Sequence, residues 1–117
     1  MAPRCLIVDD NEDFLVSSRR LLETQGIRVA GCATSGGEAL QLLDELRPDI
    51  ALVDVELGEE DGIAIAEELA RRSPGTTVVL ISAHEGGDLD ELLEGSRVAG
   101  FLPKTELRAA AILALTA

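Results

Sequence analysis

The stretch Cys5-Leu6-Ile7-Val8-Asp9-Asp10 consists of four apolar residues followed directly by two acids. A short apolar run closed by polar residues predicts a strand that is buried on both faces of a sheet. The same pattern recurs at Ile50-Ala51-Leu52-Val53, which runs straight into Asp54. Both predicted strands therefore end in carboxylates.

Segments with the periodicity of an amphipathic helix alternate with such apolar runs. The predicted strands cover residues 5–8, 27–33, 50–53, 76–81 and 98–102, and the predicted helices cover 11–25, 38–47, 61–72, 88–97 and 107–115. Ser35-Gly36-Gly37 predicts a turn before the second helix. Because strands and helices alternate, we expect an α/β fold with a parallel sheet covered by helices on both faces.

Length and composition restrict the class of protein. A chain of 117 residues, 46% of them hydrophobic, predicts a single domain with one core. The net charge of −12 argues against direct binding to nucleic acid or to anionic lipid. We expect no membrane span and no signal peptide, because the apolar runs are too short. With only two cysteines and no disulfide framework, the expected compartment is a reducing cytoplasm.

The polar residues at the predicted strand ends form a small set. They are Asp9, Asp10, Asp54, Ser82 and Lys104. Ligands of open parallel sheets bind beyond the carboxyl ends of the strands, so these side chains are expected to share one crevice. Three close carboxylates repel each other, and a divalent cation with oxygen ligands relieves that repulsion. Mg²⁺ suits such a site because it takes few carboxylates and often a phosphate oxygen. An ammonium and a hydroxyl beside the cation complete a set that predicts phosphoryl transfer.

Each of these residues also has a purely structural explanation. Asp9, Asp10 and Asn11 stand at the start of a predicted helix, where such residues commonly cap backbone N–H groups. Asp54 follows a buried run, where a charge without partners is costly, so a merely structural Asp54 is harder to accept. Lys104 is the only lysine among ten basic residues, which favours a requirement for a compact charge over a chance position on a loop. Ser82 alone carries little weight.

Four segments, in this order and at this spacing, resemble the receiver domain of two-component response regulators. They are Leu6-Ile7-Val8-Asp9-Asp10, Leu52-Val53-Asp54 followed by Asp61-Gly62, Ile81-Ser82-Ala83, and Phe101-Leu102-Pro103-Lys104. The resemblance extends over nearly the whole chain, so residues 1–117 are interpreted as one receiver domain. It implies a flavodoxin-like, doubly wound sheet of five parallel strands in the order 2-1-3-4-5 with five helices. It also implies a phospho-accepting signalling switch rather than an enzyme.

The resemblance further implies a role for each residue at the strand ends. Asp54 is expected to accept the phosphoryl group from a phosphohistidine of a sensor histidine kinase. Asp9, Asp10 and Asp54 are expected to hold Mg²⁺ together with the backbone carbonyl of Glu56. Lys104 is expected to bind the phosphoryl oxygens.

The resemblance also implies two switch residues and two residues that tune the lifetime of the phosphoryl group. Ser82 is expected to bind the phosphoryl oxygens and to move towards the phosphate, and Phe101 stands where the family keeps an aromatic residue that then turns inward. By the same resemblance, Glu56 and His84 are expected to occupy the positions that influence, in the family, how long the phosphoryl group survives hydrolysis. For both we also keep the alternative of an ordinary exposed position.

The sequence departs from the family pattern in two places. The loop after Asp54 has Leu57-Gly58 where Met-Pro is frequent, and Lys104 is followed by Thr105 where proline with a cis peptide bond is frequent. A cis peptide bond before a residue other than proline costs about 2.5–4 kcal/mol, so the sequence does not decide between cis and trans for the bond from Lys104 to Thr105.

The end of the chain carries the expectations about partners. The predicted helix 107–115 is apolar on more than one side, so it faces either an output domain that follows, another protein, or a second copy through the face 88–115. The ending 101–107 resembles receivers that are attached to helix-turn-helix DNA-binding domains. This favours a role in regulating transcription through an attached or separate output domain.

Two other classes of protein remain as alternatives. A phosphatase or phosphotransferase of the haloacid-dehalogenase type also uses an Asp nucleophile and magnesium, but its first strand is followed by Asp-x-Asp, whereas Asp9 and Asp10 are adjacent. A nucleotide-binding module fits poorly, because Gly37 and Glu38 stand where a Walker A loop has Lys and Ser/Thr.

Overall fold

The computed structural model describes residues 2–83 and 93–116. Its strands are β1 Arg4–Val8, β2 Arg28–Ala33, β3 Ile50–Asp54, β4 Glu56–Leu57, β5 Glu60–Asp61, β6 Thr77–Ser82 and β7 Gly100–Pro103. Its helices are α1 Glu12–Thr24, α2 Gly36–Leu46, α3 Gly62–Arg72 and α4 Ala109–Ala114, with a 3-10 turn at Lys104–Glu106. Most of the helix predicted at 88–97 lies outside the described residues, and residues 93–95 of it form a turn.

Five of the strands form one parallel sheet in the order β2-β1-β3-β6-β7. The predicted order 2-1-3-4-5 is confirmed, because β4 and β5 form a separate antiparallel hairpin and do not join this sheet. The two faces of the sheet carry separate cores. In β1, for example, Leu6 and Val8 belong to one buried cluster, whereas Cys5 and Ile7 belong to the other. Alternate residues of a strand point to opposite faces, so a strand apolar throughout is buried on both sides.

The turn predicted at Ser35-Gly36-Gly37 is wrong, because both glycines belong to α2. Ser35 is the N-cap, and its hydroxyl oxygen accepts the backbone N–H of Glu38 at 3.2 Å. The Glu38 carboxylate reaches back and accepts the N–H of Thr34 at 2.8 Å. These two bonds satisfy N–H groups at the start of the helix, and they offset the low helix propensity of two glycines.

The final helix is shorter than the predicted segment 107–115. The 3-10 turn comes first, and α4 then covers six residues, Ala109–Ala114. The side-chain oxygen of Gln25, the residue after α1, accepts the N–H of Ala109 at 2.6 Å. Ile112 is buried and Leu113 is exposed, so α4 is apolar on its outer side as predicted. None of the helices in the described ranges is long and apolar enough to cross a bilayer.

Candidate functional site

Four strands of the sheet end at the same edge and carry the predicted site residues there. Asp9 follows β1, Asp54 ends β3, Ser82 ends β6 and Lys104 follows β7. Since the strands are parallel and adjacent, their carboxyl ends lie side by side. The structure therefore brings together residues that are far apart in the sequence.

The three aspartates Asp9, Asp10 and Asp54 form a compact acidic cluster. One carboxylate oxygen from each lies within 4.8 Å of the others. Asp9 is fully buried and Asp54 is 6% exposed, whereas Asp10 faces solvent. Burial raises the pKa of Asp9 above its usual value, although the Lys104 ammonium and the Asn11 N–H partly offset the rise. The cluster thus offers hard oxygen donors of the kind that a small divalent cation prefers.

Lys104 provides the positive charge at this site. Its Nζ lies 2.7 Å from Oδ2 of Asp9 and 3.0 Å from Oδ2 of Asp54. Oδ2 of Asp9 is fully buried and has no other partner among the described residues. Burial lowers the pKa of Lys104, but its hydrogen bonds with Asp9 and Asp54 outweigh that effect and raise it overall. The ammonium is therefore charged at neutral pH.

The backbone of the following loops holds the two buried carboxylates. Oδ1 of Asp9 accepts the N–H of Asn11 at 2.9 Å, and Oδ1 of Asp54 accepts the N–H of Glu56 at 3.0 Å. Of the three capping candidates Asp9, Asp10 and Asn11, it is Asn11 that caps α1: its side-chain oxygen accepts the N–H of Phe14 at 3.2 Å. In each buried acid, one oxygen is oriented by the backbone and the other faces Lys104.

The loop after Asp54 is an ordered hairpin, β4–β5, with Gly58 in its turn at φ 62°. The Glu60 carboxylate accepts the N–H of Gly36, at 3.1 and 3.3 Å to its two oxygens, and so ties the hairpin to the start of α2. At Gly62 a Cβ atom would lie 1.8 Å from the backbone oxygen of Asp54. Only glycine fits there, and this steric requirement explains why glycine follows Asp61 in the sequence.

Sequence reasoning missed three features of this site: the hairpin, the contact of Glu60 with α2, and the ring of Phe14 beside Lys104. Gly58 between two short polar stretches is a signal that could have indicated the hairpin. The other two features leave no local signal, because they join residues far apart in the chain.

The remaining predicted residues occupy different positions around the site. Ser82 is buried and aligned with Pro103 of β7, immediately before Lys104. Phe101 is half-buried in β7 and packs against the core. The Glu56 side chain is exposed, and the predicted tuning residue His84 lies outside the described residues. No described peptide bond is cis, so the bond from Lys104 to Thr105 is trans.

Comparison with known proteins agrees with this arrangement. A family profile described as response regulator receiver domain matches residues 5–115. The protein-glutamate methylesterase/protein-glutamine glutaminase of Alkalilimnicola ehrlichii is 38% identical over 109 residues, covering 89% of this chain and 27% of that protein. The chemotaxis protein CheY of Thermotoga maritima is 35% identical over 83 residues, covering 71% of this chain and 69% of that protein. A two-component response regulator of the LuxR family from Aurantimonas sp. has a TM-score of 0.87 at 26% identity, covering 99% of this chain and 86% of that structure.

The chain matches only one part of the methylesterases. The chain spans about a quarter of the length of the methylesterases that it matches, 27% and 25% of two of them. Their esterase activity therefore belongs to those proteins as wholes. The family match does not favour the haloacid-dehalogenase alternative.

Proposed function

The chain belongs to the response regulator receiver domain family, and from this we propose that residues 1–117 form one receiver domain that is phosphorylated on Asp54. One observation carries the assignment: a buried carboxylate at the end of the central strand β3 contacts the only lysine of the chain at 3.0 Å. A second carboxylate, Asp9, shares that lysine. An acceptor for a dianionic group needs positive charge at this place.

In the proposed reaction, an oxygen of Asp54 attacks the phosphorus of a phosphohistidine on a sensor histidine kinase. An O–P bond forms, the P–N bond breaks, and its electron pair remains on the imidazole nitrogen. Lys104 binds oxygens of the transferred group, and Ser82 offers a hydroxyl donor to them. Mg²⁺, held by Asp9, Asp10, Asp54 and the Glu56 carbonyl, would neutralise the charge of the phosphoryl group. The hydrogen bond from the Glu56 N–H orients the attacking carboxylate.

We also propose that the phosphorylated site changes the surface around β7. Ser82 and Phe101 lie on the neighbouring strands β6 and β7, so a shift of the Ser82 hydroxyl towards the phosphate would free space for the Phe101 ring. Glu56, exposed in the hairpin, and His84 are proposed to adjust the lifetime of the phosphoryl group.

The proposed output is the regulation of transcription through an attached or separate partner. The similarity to a LuxR-family response regulator supports this, and so does the apolar outer side of α4. A second copy of the chain, bound through the face 88–115, is the alternative partner. We propose a cytoplasmic location, which the two free cysteines support.

Acetyl phosphate provides a direct test. Wild-type protein incubated with acetyl phosphate and Mg²⁺ should gain the mass of one phosphoryl group, and EDTA should prevent this. Asp54→Asn should gain nothing, whereas the control Asp13→Asn, an exposed acid in the first turn of α1, should react like wild type. Undiminished labelling of Asp54→Asn would refute the assignment. Steady turnover of p-nitrophenyl phosphate would instead indicate a phosphatase.

A further inference from the structure

We propose that Phe14 is a positioning residue for the phosphoryl-transfer reaction, because its ring holds the Lys104 ammonium against the buried carboxylates Asp9 and Asp54. This inference rests on the proposed function. It assigns a reaction role to a residue inside helix α1, whereas the described site residues already discussed lie in strands or in the loops that follow them.

The geometry places the ammonium between a ring and two acids. Nζ of Lys104 lies 4.2 Å from the centroid of the Phe14 ring, well inside the range of about 6 Å within which a cation is attracted to an aromatic face. The same nitrogen lies 2.7 Å from Asp9 and 3.0 Å from Asp54. The ammonium is therefore held by negative charge from the acids and by the negative face of the ring.

Hydrogen bonds fix the backbone at Phe14, and this defines the position from which its side chain extends. Its N–H donates to the side-chain oxygen of Asn11, the N-cap of α1, at 3.2 Å. Its carbonyl accepts the hydroxyl of Ser18 at 2.6 Å. Asn11 in turn donates its own N–H to Asp9. One chain of hydrogen bonds thus connects a proposed metal ligand to the residue that covers the lysine.

A lysine at this site needs such a partner for a physical reason. Its ammonium is strongly hydrated and sits on a flexible four-carbon stem, so it loses much rotamer freedom when it is held in one place. The Lys104 side chain is 17% exposed and could turn towards water. An aromatic face attracts the ammonium and also excludes water from that side. An aliphatic residue of similar size would exclude water without attracting the charge.

This difference separates the proposal from the simpler explanation that Phe14 only fills space. Phe14 does pack beside the core cluster that contains Leu15 and Ile112. If packing were its only role, weakening the negative face of the ring without changing its shape would leave the function intact. If the ring positions Lys104, tyrosine should preserve the function and leucine should not.

The composition of the chain makes the experiment unusually clean. Lys104 is the only lysine, so lysine labelled with ¹³C gives one set of side-chain signals. Without phosphodonor, the protons on Cε of Lys104 should be shifted upfield in wild type, because they lie near the face of a ring. Phe14→Leu should remove that shift, whereas Phe14→Tyr should keep it. Val16→Ala, an exposed position on the same helix, should also keep it.

The rate of labelling by acetyl phosphate is the second measurement. Phe14→Leu should slow labelling about two- to fivefold at saturating Mg²⁺, the size expected for loss of one cation–π contact. Phe14→Tyr and Val16→Ala should keep the wild-type rate. Equal slowing by Leu and Tyr, or no slowing by Leu, would overturn the proposal. Wild type that takes no label would refute the acceptor assignment, and the proton shift still tests the contact.

Fluorinated phenylalanine keeps the inference testable if Phe14→Leu does not fold. Phe14 and Phe101 are the only aromatic residues other than His84, so biosynthetic replacement in a Phe101→Leu background alters Phe14 alone. Successive fluorination weakens the negative face of the ring with little change in shape. The labelling rate should fall with each added fluorine, and a constant rate would overturn the proposal.

Discussion

Nζ of Lys104 lies 2.7 Å from Oδ2 of Asp9, a carboxylate that is fully buried. The same nitrogen contacts Asp54 at 3.0 Å, so one cation faces two buried anions. In such surroundings an ion without its partner costs several kcal/mol, because little water can reach it. The charge balance of this site thus depends on the Lys104 ammonium.

Removing the ammonium should therefore destabilise the fold. We expect Lys104→Ala to lower the free energy of unfolding by about 3 kcal/mol. Mg²⁺ should restore part of this lost stability, because a cation that binds the acidic cluster only in the folded protein stabilises the folded state by mass action. Urea unfolding with and without Mg²⁺ measures both effects. Arg20→Ala, an exposed cation without a described ion pair, is the control. Equal stability of the two variants would show that Lys104 does not balance these acids.

Gly62 should tolerate no side chain. A Cβ atom there would lie 1.8 Å from the backbone oxygen of Asp54 and 2.6 Å from that of Val55, so Gly62→Ala must displace the end of strand β3. We expect lower stability by on the order of 3 kcal/mol and loss of labelling by acetyl phosphate. Gly37→Ala is the matched control, because nothing lies within 4 Å of its Cβ and it is helical. That variant should be more stable by about 0.5–1 kcal/mol. A fully labelled Gly62→Ala would contradict the close packing.

The bond from Gly36 to Glu60 should hold the hairpin β4–β5 in place. The N–H of Gly36 donates to both carboxylate oxygens of Glu60, at 3.1 and 3.3 Å. We expect Glu60→Ala to weaken Mg²⁺ binding and to lower stability by about 1 kcal/mol, because the loop after Asp54 loses its tie to α2. Glu59→Ala, the exposed neighbour, should change neither quantity. Isothermal titration with Mg²⁺ and thermal unfolding compare them. Identical Mg²⁺ affinity in both variants would separate the hairpin from the metal site.

Stability should fall at alkaline pH through Cys5. Burial raises the pKa of its thiol from 9.0 to about 12, with a smaller contribution from nearby Cys32. Above about pH 9 the unfolded thiol loses its proton while the folded one keeps it, so the unfolded state binds fewer protons. The contribution of the Cys5 thiol to the free energy of unfolding is complete below pH 9. It is lost as the pH rises towards 12, by at most about 1.4 kcal/mol per pH unit.

Comparison of variants isolates that slope. Between pH 9 and about 10.5, Cys5→Ala should lose stability more slowly with rising pH than wild type, whereas Cys32→Ala should keep the Cys5 contribution. Chemical unfolding at a series of pH values gives the slopes. Parallel curves for wild type and Cys5→Ala would show that the buried thiol ionises normally.

Local pattern determined much of this protein. Asp9 follows the apolar run of β1, and Asp54 follows that of β3. The amino-acid sequence therefore indicates where both strands end and which carboxylates lie at their ends. Alternation with amphipathic helices indicated a parallel sheet, and such a sheet puts strand ends on one edge. The prediction that Asp9 and Asp54 lie on one edge therefore needs only the local strand and helix patterns and the general geometry of parallel sheets.

The tertiary structure decided what local pattern could not express. The helix start at the glycines before Glu38, where a turn was expected, is not such a case, because the Ser35 cap lies within four residues of chain. The contacts of Glu60 with Gly36 and of Phe14 with Lys104 appear only when separate elements pack together. The physical reason is range: strand and helix signals arise between near neighbours, whereas these contacts depend on the relative placement of whole elements around a common core.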